Sequence, residues 1–238
     1  MFAKEFFELQ VEFARTASRL AGIAFAQALL DYTNLYVRFG LGREFDAEHP
    51  VWQDYLEGVR EQRDVGEWTH LFYGARGARV APPNVVASFG CFSYAWLSDT
   101  QIRLHFHDAE TDGMSPLSIG RRDRRLAELA ALFAHVKATR GSDARVVEAS
   151  WLYNTEAYRR LFPRAYLSTA HPIDRRFRHM PLWGQFVNRY GAVRADTARE
   201  FRERLGRQTH PNDLSQCFPF QVLSLEAAAG SFYEFYGV

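Results

Sequence analysis

At 238 residues, 47% hydrophobic and 24% charged, the chain has the composition of a folded globular protein and not of a disordered one. Its formal net charge of +1 gives no reason to expect nucleic acid or an anionic membrane surface as a partner. The only cysteines, Cys91 and Cys217, form no CxxC pair, which excludes a disulfide scaffold and a cysteine-rich zinc site.

The first 39 residues predict a helix, because Phe6, Leu9, Phe13, Leu20, Ile23, Leu30 and Leu35 recur close to helical spacing and Gly40 and Gly42 follow. Lys4, Glu5, Glu8 and Glu12 at its start do not fit a secretory signal. The longest apolar run, Leu20 to Leu30, is too short to span a bilayer, so a cytoplasmic location without membrane contact is the expectation. A second helix is predicted from Pro50 to about Val65, with Trp52, Tyr55, Leu56 and Val59 on one face. Gly74 to Asn84, with Gly77, Pro82 and Pro83, is the candidate linker.

The period then switches to alternation. Phe89 to Leu97, the Ser98-Asp99-Thr100 turn and Ile102 to Phe106 predict a β-hairpin with one apolar and one polar face. A helix from Arg121 to Thr139, closed by Gly141, and a strand from Arg145 to Leu152 follow. Beyond them come a short helix from Thr155 to Phe162, stopped by Pro163, and an irregular or helical stretch from Tyr166 to Gly191. A charged helix from Thr197 to Leu205, a strand from Phe218 to Leu225 and a final helix ending at Gly237 complete the reading. The expected fold class is α/β or α+β. A helical N-terminal portion (1–80) is expected to pack on a mixed-sheet domain (81–238). An aromatic share of 15%, with 20 Phe, predicts a large core or an apolar pocket.

Three features carry candidate chemistry. His105 and His107 lie two apart on a strand and share a face, with Asp108 and Glu110 close behind. That pattern suits a general base near neutral pH, a metal site, or simply a solvated strand face. A third metal ligand among His70, His135, His171, His179 and His210 is not singled out. Second, Arg121, Arg122, Arg124 and Arg125 crowd a helix start behind Gly113 and Gly120. Cations are disfavoured there unless an anion sits nearby, whether a bound phosphate or Asp123 and Glu128. Third, Lys4 and Lys137 are the only lysines, which leaves two candidates for Schiff-base chemistry. The chain has no G-x-S-x-G elbow, P-loop or G-x-G-x-x-G, and Cys91 lies among aromatics where a buried, inert thiol is expected.

The order strand, Gly-containing loop, helix, strand and Asn154 resembles the centre of the GNAT acyltransferase fold. NTEAYRRLF (Asn154 to Phe162) is similar to that family's N-x-x-A-x-x-x-Y segment, and SFYEFYGV (Ser231 to Val238) to its F-Y-x-x-x-G-F ending. The chain around LHFH and SWLYN also looks similar to bacterial GNAT-like proteins with a helical N-terminal portion. The resemblance implies an acyl-coenzyme A donor and a small-molecule acceptor. It implies that the helix start at Gly120, Arg121 and Arg122, with Asn154, holds the donor. His105, His107 or Glu148 would then be the base, and Tyr233 the acid, since the family's usual tyrosine falls at Leu161. The family's R/Q-x-x-G-x-G/A loop is absent, and MSPLSIGRRDRR keeps only Gly120. A metal-dependent enzyme built on His105 and His107, and a non-catalytic binding protein on an acyltransferase-like scaffold, are the alternatives. The aromatic N-terminal helices are a candidate homodimer surface.

Overall fold

The computed structural model describes residues 1–76, 84–141, 143–174 and 177–238. In chain order, helices α1 (Lys4–Ala21), α2 (Phe25–Tyr32), α3 (Leu35–Arg38), α4 (Pro50–Glu61) and α5 (Val65–Arg76) come first. Strands β1 (Val85–Phe89), β2 (Phe92–Trp96) and β3 (Gln101–Phe106) precede the long helix α6 (Arg122–Arg140) and strand β4 (Arg145–Ser150). Then come α7 (Glu156–Arg159), α8 (Arg164–Leu167), β5 (His171–Pro172), α9 (Met180–Gly184), α10 (Ala195–Gly206), β6 (Leu223–Ala228) and α11 (Gly230–Tyr236). The fold is mixed α and β, with one six-stranded sheet in the order β1-β2-β3-β4-β6-β5. Among the described residues no helix is long and apolar enough to cross a membrane.

The chain divides into two compact units, Met1–Ala81 with Asp174–Gln221, and Pro82–Ile173 with Val222–Val238. The expected boundary at residues 80 and 81, and most of the Gly74 to Asn84 linker, lie outside the described residues; Gly74 itself belongs to α5.

The first unit is helical, but its opening segment is three helices where the sequence predicts one. Gly22 ends α1 in the left-handed region (φ 65°), its N–H returning to the Ser18 carbonyl. The second break is polar. Thr33 Oγ1 donates to the Leu29 carbonyl at 2.5 Å and accepts from Leu35 N–H, while Asn34 N–H donates to Gln10 Oε1 at 3.0 Å. Helix α4 stops at Glu61, and a further helix, α5, starts behind Asp64, whose Oδ1 accepts from Glu67 N–H at 2.9 Å. Residues 174–221 join this unit through aromatic packing: the Phe13 ring lies 5.1 Å from Phe177, 5.6 Å from Trp183 and 5.2 Å from Phe218.

The second unit holds the sheet. Strands β1, β2 and β3 form an antiparallel meander. The expected hairpin is present, but Phe89 ends a separate strand, because Gly90 turns the chain at φ 59°. A Cβ at Gly90 would run into the Glu128 carboxylate, so this turn needs glycine on two counts. Strands β3 and β4 pair in parallel across α6, as the strand–helix–strand pattern predicts. Strand β4 pairs antiparallel with β6, which begins at Leu223, five residues beyond the expected start. One sheet face carries Phe92, Tyr94, Ile102, Leu104, Val146 and Leu225, buried with Leu129, Phe133, Val136, Tyr158 and Phe232 from the helices and Phe162 from the turn after α7. Period-two alternation on the strands and a single apolar stripe on α6 account for that layer.

Candidate functional site

The β3–β4 ladder is short. It runs from Gln101↔Arg145 through Ile102↔Val146 to Arg103↔Val147 and stops there, although β3 continues to Phe106 and β4 to Ser150. On their outer sides both strands stay paired to these ends, β3 with β2 through Phe106 and β4 with β6 through Ser150. A seam therefore opens inside the sheet at the C-terminal ends of a parallel pair. Open α/β sheets bind ligands at such strand ends. The start of α6 and the chain leaving β4 lie at this same end. Arg160 ties them together, its Nη2 donating to the Leu117 carbonyl at 2.8 Å and the Ser118 carbonyl at 3.0 Å.

Glu148 is the first residue of β4 past the ladder, and only 7% of it is exposed. By alternation it shares a face with Val146 and Ser150, so it points toward the helices. Tyr153 Oη donates to Glu148 Oε2, and Tyr158 Oη donates to Oε1 at 3.1 Å. The Tyr166 hydroxyl closes the group, 3.0 Å from that of Tyr153. Burial pushes the Glu148 carboxyl up to about 7, against the opposing pull of the two tyrosine hydroxyls and the Arg103 charge. Burial and the adjacent carboxylate drive Tyr153 and Tyr158 well above the usual phenol range, so both remain neutral donors. A carboxyl poised near neutrality can both accept and return a proton at physiological pH. None of the three tyrosines follows from motif matching. The available signal was Glu148 itself, a carboxylate at the inward position of an alternating strand.

The other expected residues do not gather around Glu148. His105 stands opposite Ser93 and lies, by the same register, on the other sheet face. His107 falls just past β3, and its N–H donates to the Cys91 carbonyl at 3.0 Å. Among the described residues no group of three or more His, Cys, Asp or Glu side chains is placed to hold a metal ion. The Tyr233 hydroxyl donates to the Gly141 carbonyl at 2.7 Å, at the C-terminal end of α6. A 19-residue helix spans roughly 28 Å. Tyr233 is thus remote from Arg122 and from the seam's open end. Asn154 is exposed, and its Nδ2 donates to the Trp151 carbonyl at 2.7 Å, within its own 3-10 turn. Gly120 lies in the 3-10 turn Ile119–Arg121 and has open space where a Cβ would stand.

The arginines divide into two sets with opposite character. Arg121 pairs with Glu110 (2.5 Å) and Asp112; Arg124 with Glu110 (3.2 Å) and Glu128 (3.5 Å); Arg125 with Glu110 (2.7 Å) and Glu128 (2.6 Å). These charges are already answered by carboxylates, so this cluster locks the loop after β3 onto α6. Arg121, expected to hold a donor, is thus engaged by Glu110 and Asp112. Arg122 differs, being half-exposed with only the neighbouring Asp123 at 3.2 Å. Arg159, Arg160 and Arg164, on the chain leaving β4, have no carboxylate within 4.0 Å among the described residues. With Arg122 they line a concavity of about 650 Å³ whose one acidic lining residue is Glu156.

No protein-family model, curated protein or solved structure matches this chain.

Proposed function

We propose that the chain is a GNAT-like acyltransferase that moves an acyl group from acyl-coenzyme A to an amine or hydroxyl of a small molecule. The observation that carries this reading is the seam between β3 and β4, with the buried Glu148 at its first open position and the start of α6 beyond it. The residues present fit such a donor. Beyond Arg103↔Val147 the β3 and β4 ends are unpaired with each other, where a pantetheine-like arm would pair, and the α6 start, with Arg122 exposed, offers positive charge for a pyrophosphate.

When bound, the donor supplies an activated thioester carbonyl. Glu148 in its ionised form takes one proton from the acceptor nitrogen or oxygen as that atom forms its bond to the carbonyl carbon. The carbon–sulfur bond breaks and the sulfur leaves as a thiolate, which takes the proton that Glu148 received, so that Glu148 ends the cycle ionised. Tyr153 and Tyr158 hold the Glu148 carboxylate in place and stay protonated throughout. Tyr233 has no part in this scheme, because its hydroxyl is committed at the far end of α6.

A thiol-release assay with acetyl-coenzyme A and a panel of primary amines tests the reading. The wild-type protein is expected to liberate thiol in an acceptor-dependent way. Glu148→Gln should lower that rate by roughly 100-fold or more, the usual range for loss of a general base. Equal rates in the two proteins would remove Glu148 from the chemistry.

A further inference from the structure

Arginine clusters are mildly unfavourable wherever their charges go unanswered, and this chain shows both outcomes in one unit. Arg121, Arg124 and Arg125 each reach at least one carboxylate, whereas Arg159, Arg160 and Arg164 reach none among the described residues. Arg160 is instead fixed by two carbonyls, and its Nε is buried without a partner. Four guanidinium groups, counting Arg122 at the first position of the 19-residue α6, face one concavity against the single carboxylate of Glu156. The partial positive charge at the α6 start adds to the same field. Phe235, 46% exposed, supplies an apolar wall beside the charges.

We propose that this pocket is a binding site for a phosphorylated small molecule, its phosphate groups held by Arg122, Arg159, Arg160 and Arg164 and its organic portion resting on Phe235. Guanidinium forks match phosphate oxygens in pairs, and a volume of about 650 Å³ admits a ligand of nucleotide size. The site stands whether or not the chain transfers acyl groups, since it rests on unanswered charge and shape alone.

Calorimetric titration of the full chain with inorganic pyrophosphate at low salt tests it. Saturable binding is expected, weakening with added salt. Arg159 and Arg164 are exposed and outside the core, so the R159Q/R164Q variant should keep its fold by circular dichroism. That variant is expected to bind roughly tenfold more weakly or worse, while R199Q, an exposed change on α10, leaves binding unaltered. No binding by the folded wild-type protein would overturn the site, as would equal binding by R159Q/R164Q. Competition separates the two proposals. Acetyl-coenzyme A that displaces pyrophosphate supports this pocket as the seat of the donor's phosphates. Acetyl-coenzyme A that binds without displacing it supports a pocket serving a different phosphate ligand.

Discussion

Arg125→Met is expected to lower the free energy of unfolding by roughly 2–3 kcal/mol at neutral pH, because it removes the most deeply buried counter-charge of two enclosed carboxylates and leaves Glu110 to Arg121 and Arg124 and Glu128 to Arg124 alone. The Arg125 side chain is 1% exposed, and its Nη2 lies 2.7 Å from Glu110 and 2.6 Å from Glu128. Its other nitrogen, Nη1, meets the buried Cys91 Sγ. Methionine fills much of that volume but leaves Glu110 and Glu128 facing each other. The damage spreads through Glu128, whose Oε2 accepts from Cys91 N–H at 3.0 Å and whose carboxylate fills the space that Gly90 leaves open. Burial pushes the Glu110 carboxyl up, but the Arg125 hydrogen bond and the Arg121 and Arg124 charges hold it below the usual range. A depressed carboxyl contributes stability above its unfolded pKa and loses it as pH falls through the folded value. The acid limb of the wild-type stability curve should therefore flatten in Arg125→Met. Urea unfolding of both proteins, with R125M/E128Q recovering part of the loss, checks the account. A midpoint for Arg125→Met matching the wild type would refute it.

Glu148→Gln is expected to change stability in the opposite sense and in a different pH window. The folded carboxyl titrates near pH 7, whereas a glutamate in the unfolded chain titrates near pH 4.3, roughly. The native state thus holds its proton more tightly. Its stability is full below the unfolded value and declines as pH rises toward 7 and just past it. The difference corresponds to about 4 kcal/mol at alkaline pH. Glutamine is isosteric, carries no charge at any pH and keeps an oxygen for the Tyr153 and Tyr158 hydroxyls. The variant should then gain on the wild type between pH 5 and 8, approximately, while losing thiol release. Stability curves that run parallel across that window would show that Glu148 does not titrate there.

Much of the sheet architecture was legible because its signals are local. Alternation in Phe92–Trp96 and Gln101–Phe106, the Gly141 stop and the apolar stripe of α6 each depend on neighbours within a few residues, and each element is present. The three-helix break in the first 39 residues was not legible, since helical periodicity runs through Gly22 and Asn34 without a gap; Gly22 turns left-handed and Gln10, 24 residues away, engages Asn34. The joining of 174–221 to the first unit rests on Phe13 meeting Phe177, Trp183 and Phe218, contacts between residues far apart in the chain.

Within the site, Glu148 was named only through the family resemblance, and its partners were not legible, because Tyr153, Tyr158 and Tyr166 reach it from separate turns. Charge counting along the chain pointed to Arg121 and its neighbours. It could not see that Glu110 and Asp112 fold back onto them while the arginines of NTEAYRRLFPR stay unanswered. His105 and His107 share a strand pattern, yet the parallel register sends His105 to the face opposite Glu148.

Direct titration of the folded full chain with acetyl-coenzyme A tests the central claim. The seam, the α6 start and Glu148 together predict saturable binding below millimolar concentration that survives Glu148→Gln, because that residue acts on the acceptor's proton and not on the donor's grip. Failure to bind at millimolar ligand, with the protein shown to be folded by circular dichroism, would contradict the acyltransferase reading.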